Sequence, residues 1–238
     1  MTGTTRNNLN IYDDVAAHWW SDNIKWLRTL KNLVPGRLVW FDRHTDWVGT
    51  TVLDLGCAGG FMAEALTEKG AQVTGIDPAR KAIEAAKSRA RSIGQSIRYD
   101  VGVGEDLPYD NASFDTVVCV DVLEHVSDLN RTLSEIARVL RPGGVFLFDT
   151  INRNPVSRFV TITMAENILR LLPKGTHDPA LFIKPRELRD ALDRSGLATG
   201  SIKGLGPTGI NRRGDFCFGP FPLQTVIYMG MALKVGDR

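Results

Sequence analysis

Five short runs rich in Val, Ile and Leu, spaced by helical stretches, constrain this chain more than any other feature. TVLDL (51–55), QVTGI (72–76), SIRYDV (96–101), FDTVVCV (114–120) and GVFLFDT (144–150) are bounded by Gly, Asp or Asn. Such runs are the pattern of strands covered on both faces. Between them, FMAEALTEKG, ARKAIEAAKSRARSIG and NRTLSEIARVLRPGG carry apolar residues at helical spacing, for example Ile83, Ala86 and Ala90, or Leu133, Ile136 and Leu140. Gly70, Gly94 and Gly143 stand where helix C-caps belong, and Pro142 blocks continuation. Consecutive parallel strands need a crossover each, so the alternation predicts an α/β fold: a doubly wound, mostly parallel sheet with helices on both faces.

The chain has 238 residues, enough for one such domain. The sequence divides into an N-terminal helical cap (1–49), a core (50–150), a helical insertion after the fifth strand (151–184), and a C-terminal helix with the last strands (185–238). The cap, helical over about 11–33, is heavy in aromatic residues: His18, Trp19, Trp20 and Trp26. Two further strand-like runs fall near 198–203 and 223–233. A formal net charge of +2 argues against a dedicated nucleic-acid binder, which needs a clear basic excess. Cys57, Cys119 and Cys217 are too scattered for a disulfide framework or a zinc motif. The start, MTGTTRNNLNIYDD, has no basic stretch leading into an apolar run, and no run approaches the length of a membrane span. The expectation is a cytoplasmic protein, with attachment to a membrane surface still open.

Chemistry concentrates first at Val52-Leu53-Asp54-Leu55-Gly56-Cys57-Ala58-Gly59-Gly60, a strand running into a glycine-rich turn and a helix. Small residues let the backbone approach a ligand, and the helix start offers free N–H groups. The dinucleotide pattern G-x-G-x-x-G fits poorly, because its second and third glycines fall at Ala58 and Phe61. The bland alternative is an ordinary turn. Asp77 closes the next strand, 23 residues after Asp54. It is placed to accept two ribose hydroxyls, or to cap the following helix, or both. Gly104-Glu105-Asp106-Leu107-Pro108 follows the third strand, where Asp106 is either an adenine contact or part of a solvated acidic loop.

The turn resembles D-x-G-x-G-x-G of the S-adenosylmethionine-dependent methyltransferases, with Ala58 in the middle glycine's place. With Asp77, Asp106, Phe114-Asp115 and Leu140-Arg141-Pro142-Gly143-Gly144, residues 50–150 resemble a class I methyltransferase domain. That resemblance implies a Rossmann-like, seven-stranded sheet with the last strand antiparallel. The flanks narrow it further. YDDVAAHWW, CVDVLEHV, INRN and AENILRLLPKGTHDPALFIKPREL make the chain similar to the ubiquinone-biosynthesis O-methyltransferase family, to about residue 205. KGTHD and FIKP are its sharpest markers.

The resemblance implies S-adenosyl-L-methionine as cofactor and a catechol or phenol hydroxyl of a polyprenyl quinone precursor as acceptor. It assigns cofactor contacts to Arg37, Gly56, Asp77 and Val120, beside Asp54, Gly60 and Asp106 from the turn and loop. It assigns Asp121, Glu124 and His125 as catalytic residues and as ligands of Mg²⁺ or another divalent cation, with Asp121 where the family has Glu. A cation lowers the pKa of a bound hydroxyl. Without one, His125 is the base candidate, and His177 of KGTHD is a second base candidate or a structural loop histidine. In the insertion, Val156, Val160, Met164, Ile168 and Leu172 recur at i, i+4, with Arg158 and Arg170 near either end. That is either a helix packed on its own domain or an amphipathic lid docking peripherally on a membrane. Past residue 205 the pattern departs: no Tyr precedes Pro207, and Arg212-Arg213 and GPFP are new. This leaves another phenolic or natural-product acceptor open. A dehydrogenase and a non-catalytic cofactor-binding protein are the remaining classes, disfavoured by Phe61 and by the Asp121–His125 cluster respectively.

Overall fold

In a computed structural model of the chain, residues 10–236 are described. A short helix α1 (Asn10–Asp14) and a single 3₁₀ turn lead into α2 (Lys25–Phe41). Then β1 (Thr51–Leu55), α3 (Phe61–Glu68), β2 (Gln72–Asp77), α4 (Arg80–Ser92), β3 (Arg98–Val101), β4 (Phe114–Cys119), α5 (Leu129–Val139) and β5 (Leu140–Ile151) alternate as the apolar runs require. After α6 (Pro155–Arg158) and a π-type helix (Phe159–Ile168) come α7 (Pro185–Arg194), β6 (Leu197–Ile210), β7 (Phe216–Phe221) and β8 (Ile227–Lys234).

The strands form one sheet in the order β3-β2-β1-β4-β5-β8-β6-β7. Pairings from β3 to β5 are parallel, and those of β8 with β5 and β6 are antiparallel. The described sheet thus has eight strands rather than the expected seven. The extra strand is β7, an edge strand antiparallel to β6 that runs through the proline-containing GPFP. Proline is tolerated there because an edge strand has one ladder left unpaired.

Each face of the sheet has its own apolar layer. On one, Leu133 and Ile136 of α5 and Leu188 and Leu192 of α7 pack on Leu53, Val117 and Phe146. On the other, Leu38 and Phe41 of α2, Met62 and Leu66 of α3 and Ile83 of α4 pack on Val52, Val118 and Leu147. Asp128 caps α5 by accepting from the Arg131 N–H at 3.0 Å. Gly70 and Gly94 follow α3 and α4 with φ of 92° and 70°, as expected of helix ends, whereas Gly143 (φ 75°) lies inside β5.

Two expectations change in detail. The N-terminal helical stretch is broken into α1 and α2, and α2 runs through Pro35 to Phe41. Gly36 lets α2 cross the edge of the sheet, since a Cβ there would stand 2.4 Å from the Phe218 carbonyl oxygen. The insertion is a π-type helix over 159–168, not an α-helix, and its buried residues are Thr161 and Glu166, five apart. That matches the wider i→i+5 turn and not the i, i+4 stripe. No described helix is long and apolar enough to cross a membrane.

Candidate active site

The sheet's chain order reverses between β1 and β4: β2 and β3 lie to one side and β5 to the other. Ligands of open α/β sheets bind outside the carboxyl ends of the strands at such a point. Here a cavity of about 250 Å³ opens, lined by Asp54, Gly56, Cys57 and Ala58 from the β1 turn and Asp77 at the end of β2. Val120, Asp121 and His125 after β4 complete the wall, with Arg37 reaching in from α2.

The β1 turn leaves no room for larger residues. Gly56 has φ 77° and a Cβ on it would fall 2.1 Å from Val122 Cγ2; one on Gly59 would fall 2.1 Å from the Trp19 ring. Ala58, in the place of the pattern's middle glycine, carries φ 44°, a conformation costly for an L-residue with a Cβ. Gly60 (φ 92°) is the N-cap of α3. Asp77 accepts the Ala58 N–H at 2.9 Å and the Ala79 N–H at 2.8 Å. It therefore fastens the turn to β2, while Ala79 takes the N-cap position of α4. Burial pushes Asp77 up to about 6. Asp54 is pushed up to about 7, by burial first and by Asp77 second, and its buried Oδ2 has no hydrogen-bond partner. A carboxylate cavity with an unmatched buried acceptor, tight glycines and a ribose-placed Asp suits a ligand carrying an amino group and an adenosine.

Behind this wall lies a buried ion network that the sequence only half revealed. Arg37 Nη2 reaches Asp121 Oδ2 at 2.5 Å, and Arg37 Nε reaches Asp149 Oδ2 at 2.5 Å. Asp149 Oδ1 accepts the Asp121 N–H at 2.8 Å. Burial alone disfavours the Arg37 charge, but Asp121 and Asp149 outweigh it and hold the guanidinium's pKa up. Asp121 itself sits at φ 55°, a strained conformation at the strand end. Asp149 lies in GVFLFDT, where it reads as one more boundary residue of a strand.

A second cavity, about 290 Å³, abuts the first, and Tyr12, Asp121 and His125 line both. Its other walls are mostly apolar, with Val160, Met164 and Leu172 of the insertion and Leu205, Phe216, Phe218 and Phe221 of the β6–β7 hairpin, and His177 also lines it. At the shared wall, burial, then His177, push His125 down to about 3, so its imidazole is neutral near pH 7. Glu124 is buried, accepts the Thr150 hydroxyl at 2.6 Å, and is pushed up to about 7, chiefly by burial. The His125 and His177 rings lie 5.1 Å apart, and His177 Nδ1 is 2.9 Å from Glu166 Oε1.

Most expected site residues thus converge. Arg37, Asp54, Gly56, Asp77, Val120, Asp121 and His125 line the first cavity, with Gly60 at its turn and Glu124 just behind. Asp106 does not: it is exposed, stands outside the lining, and its N–H is paired with the Val103 carbonyl. Its neighbour Glu105 instead accepts from Ser127. The expected cation triad is also redrawn. Among the described residues, the side chains close enough to share an ion are Glu124, His125 and His177, while Asp121 is turned to Arg37. Nothing in the sequence singles out Glu166, because the i, i+4 spacing around it points to an ordinary α-helix.

A family model described as a methyltransferase domain matches residues 53–148. Among solved structures, a SAM-dependent methyltransferase from Thermotoga maritima, titled a possible histamine N-methyltransferase, superposes with a TM-score of 0.67. It is 17% identical over 94% of this chain and 99% of that one. The domain match and the fold therefore place the chain among the class I methyltransferases. Ubiquinone biosynthesis O-methyltransferase of Paraburkholderia phymatum is 38% identical over 86% of this chain and 88% of its own length. That of Thiobacillus denitrificans is 40% identical over the same shares. The chain belongs to the ubiquinone biosynthesis O-methyltransferase family.

Proposed function

We propose that this enzyme methylates a hydroxyl of a catechol or phenol that carries a long apolar tail, the quinone-precursor class named in its relatives. One observation carries the reading: an apolar cavity adjoins the cofactor cavity and shares with it a polar wall of Tyr12, Asp121 and His125. A ring hydroxyl at that wall faces the cofactor, and a tail lies among Met164, Leu172, Phe216 and Phe218. Phe221 and Leu223 line the same cavity and are 38% and 63% exposed, so an apolar tail has a way out to the surface.

S-adenosylmethionine, when bound, supplies an electrophilic methyl group on a sulfonium sulfur. The chain's own residues bind, align and keep water out. Asp77 takes the ribose hydroxyls, Asp54 faces a cationic end, and Gly56 and Gly60 let the backbone approach. Arg37, held by Asp149, fixes Asp121 at the shared wall. A free phenol has a pKa of about 10, so the acceptor must be deprotonated as it reacts. Neutral His125 is too weakly basic to hold that proton unaided, and it acts by hydrogen bonding to the hydroxyl or by binding a cation. Among the described residues, the side chains fit a cation where buried His125 Nδ1 has no partner and Glu124 and His177 stand beside it. A cation there would supply positive charge next to the forming phenolate. Opposite charges cancel in methyl transfer, so alignment and water exclusion carry much of the rest.

The test is a methylation assay with a prenylated catechol and its tail-free parent. The tailed acceptor is expected to have at least a tenfold lower KM, from about 0.8 kcal/mol per buried methylene. Equal turnover of the tail-free compound favours a compact phenolic acceptor instead. A second reading, peripheral membrane contact, is supported by exposed Val156, Phe159 and Ile168 beside exposed Arg158 and Arg170. Flotation with anionic vesicles tests it, and protein left at the bottom of the gradient removes it.

A further inference from the structure

Glu166 and His177 are buried, with side-chain exposures of 2% and 7%, and the fold of the sheet does not use them. Glu166 points inward from the π-type helix. It accepts the Gly175 N–H at 2.8 Å and the His177 N–H at 3.2 Å. The same carboxylate meets His177 Nδ1 at 2.9 Å. A carboxylate oxygen only accepts, so Nδ1 carries the ring proton and Nε2 keeps the lone pair. The His125 ring lies 5.1 Å from that ring, and one ligand atom from each of Glu124, His125 and His177 lies within 4.8 Å of the others. His125 Nδ1 is closed off from solvent without a hydrogen bond, which a buried polar atom rarely is.

We infer that Glu124, His125 and His177 form a binding site for a borderline divalent transition ion, with Glu166 as the positioning residue that sets the His177 tautomer. A carboxylate on the outer nitrogen of a metal-binding histidine is the usual support of such ligands. Ligands about 2.1 Å from an ion lie at most about 4.2 Å apart, so a small side-chain movement closes the set. The site differs from the one implied by the family resemblance in one ligand, and that changes the ion. Asp121 is engaged by Arg37 at 2.5 Å, and an imidazole stands in for its carboxylate. An oxygen-rich set suits Mg²⁺, whereas two imidazoles and one carboxylate favour ions such as Co²⁺ and Zn²⁺. The ion's use in catalysis rests on the methyl-transfer reading above; its binding does not.

The test titrates the tag-free full chain with Co²⁺ alone, read by visible absorption and calorimetry, with S-adenosylmethionine affinity measured on the same samples. The expected result is a single Co²⁺ site per chain, with Mg²⁺ at least 100-fold weaker. H177A loses at least 100-fold in Co²⁺ affinity, E166Q loses about 10–100-fold, and D121N stays within about threefold. His177 lies outside the cofactor cavity, so unchanged S-adenosylmethionine affinity shows that H177A is folded, and E166Q gives an independent reading if it is not. Mg²⁺ binding as tightly as Co²⁺, loss of Co²⁺ in D121N but not in H177A, or no Co²⁺ binding by the parent chain each overturns the site. A chain that binds cofactor but no Co²⁺ loses only this inference. One that binds Co²⁺ but no cofactor keeps the site and loses the methyl-transfer reading.

Discussion

The two cavities of this enzyme are made by different means. The cofactor cavity is built from strand ends: backbone turns after β1, β2 and β4, fixed by Asp77 and by the Arg37–Asp149 pair. The second, apolar cavity, proposed above for the acceptor, is built largely from side chains on a π-type helix and on an edge hairpin. The first gains its shape from hydrogen bonds and buried charge, and the second mainly from apolar packing, with the Glu166–His177 hydrogen bonds at one end. Changes to the first should therefore be costly and general. Changes to the second should be mild and selective for the acceptor.

The largest expected effect tests the buried charge. R37L leaves Asp149 and Asp121 without their cation and should cost about 3–5 kcal/mol, read as a lowered urea midpoint. A loss under 1 kcal/mol would mean that the cofactor side is no more rigid than the acceptor side. Next comes Asp77. D77N should weaken S-adenosylmethionine binding about 10–100-fold, the worth of hydrogen bonds to a charged acceptor, with little effect on acceptor KM.

The same residue sets a pH dependence. Asp54 and Asp77, at about 7 and about 6, hold protons that the unfolded chain has already released near pH 4–5. The folded state therefore binds more protons in this window, and their contribution to stability falls as pH rises from about 4 to 7. Cofactor binding favours the ionised forms, so affinity should rise with pH through about 6–7, and D77N should flatten the lower part of that rise. Thermal melts with and without S-adenosylmethionine at pH 5 to 8 check both directions.

On the acceptor side, M164A should raise KM for a tailed acceptor about tenfold while cofactor affinity stays within twofold. The smallest effect is expected at Ala58. A58G relieves a left-handed φ and should stabilise the chain by about 0.5–1 kcal/mol, less than the strain removed because glycine is freer when unfolded.

The same contrast explains what could be read in advance. Strands β1 to β5, the turn at Gly56 and Gly60, and Asp77 were legible because backbone-built features need particular residue types at fixed spacing. Asp106 lies outside the cavity lining, and the pattern could not place it, because a loop acid after β3 satisfies it whether it faces the cavity or solvent. Asp149 was hidden since an acid at a strand end reads as a boundary. Glu166 was hidden by periodicity: an i, i+4 stripe suggests an α-helix, and the wider turn brings Thr161 and Glu166 inward instead. β7 was hidden by Pro220, which weakens a strand reading but is tolerated in an edge strand.

The crossing at Gly36 bears on how such an enzyme can change its substrate. Because α2 rests directly on the Phe218 backbone, the rim of the apolar cavity is mounted on the helix that also supplies Arg37 to the wall of the strand-end cavity. Side chains facing the apolar cavity can be exchanged one at a time to suit a new ring or tail. The placement of the hairpin cannot, since any residue larger than glycine at position 36 would lift α2 and carry the arginine with it. Substrate range in this scaffold is therefore free to drift by repainting the walls of the cavity, but not by moving them.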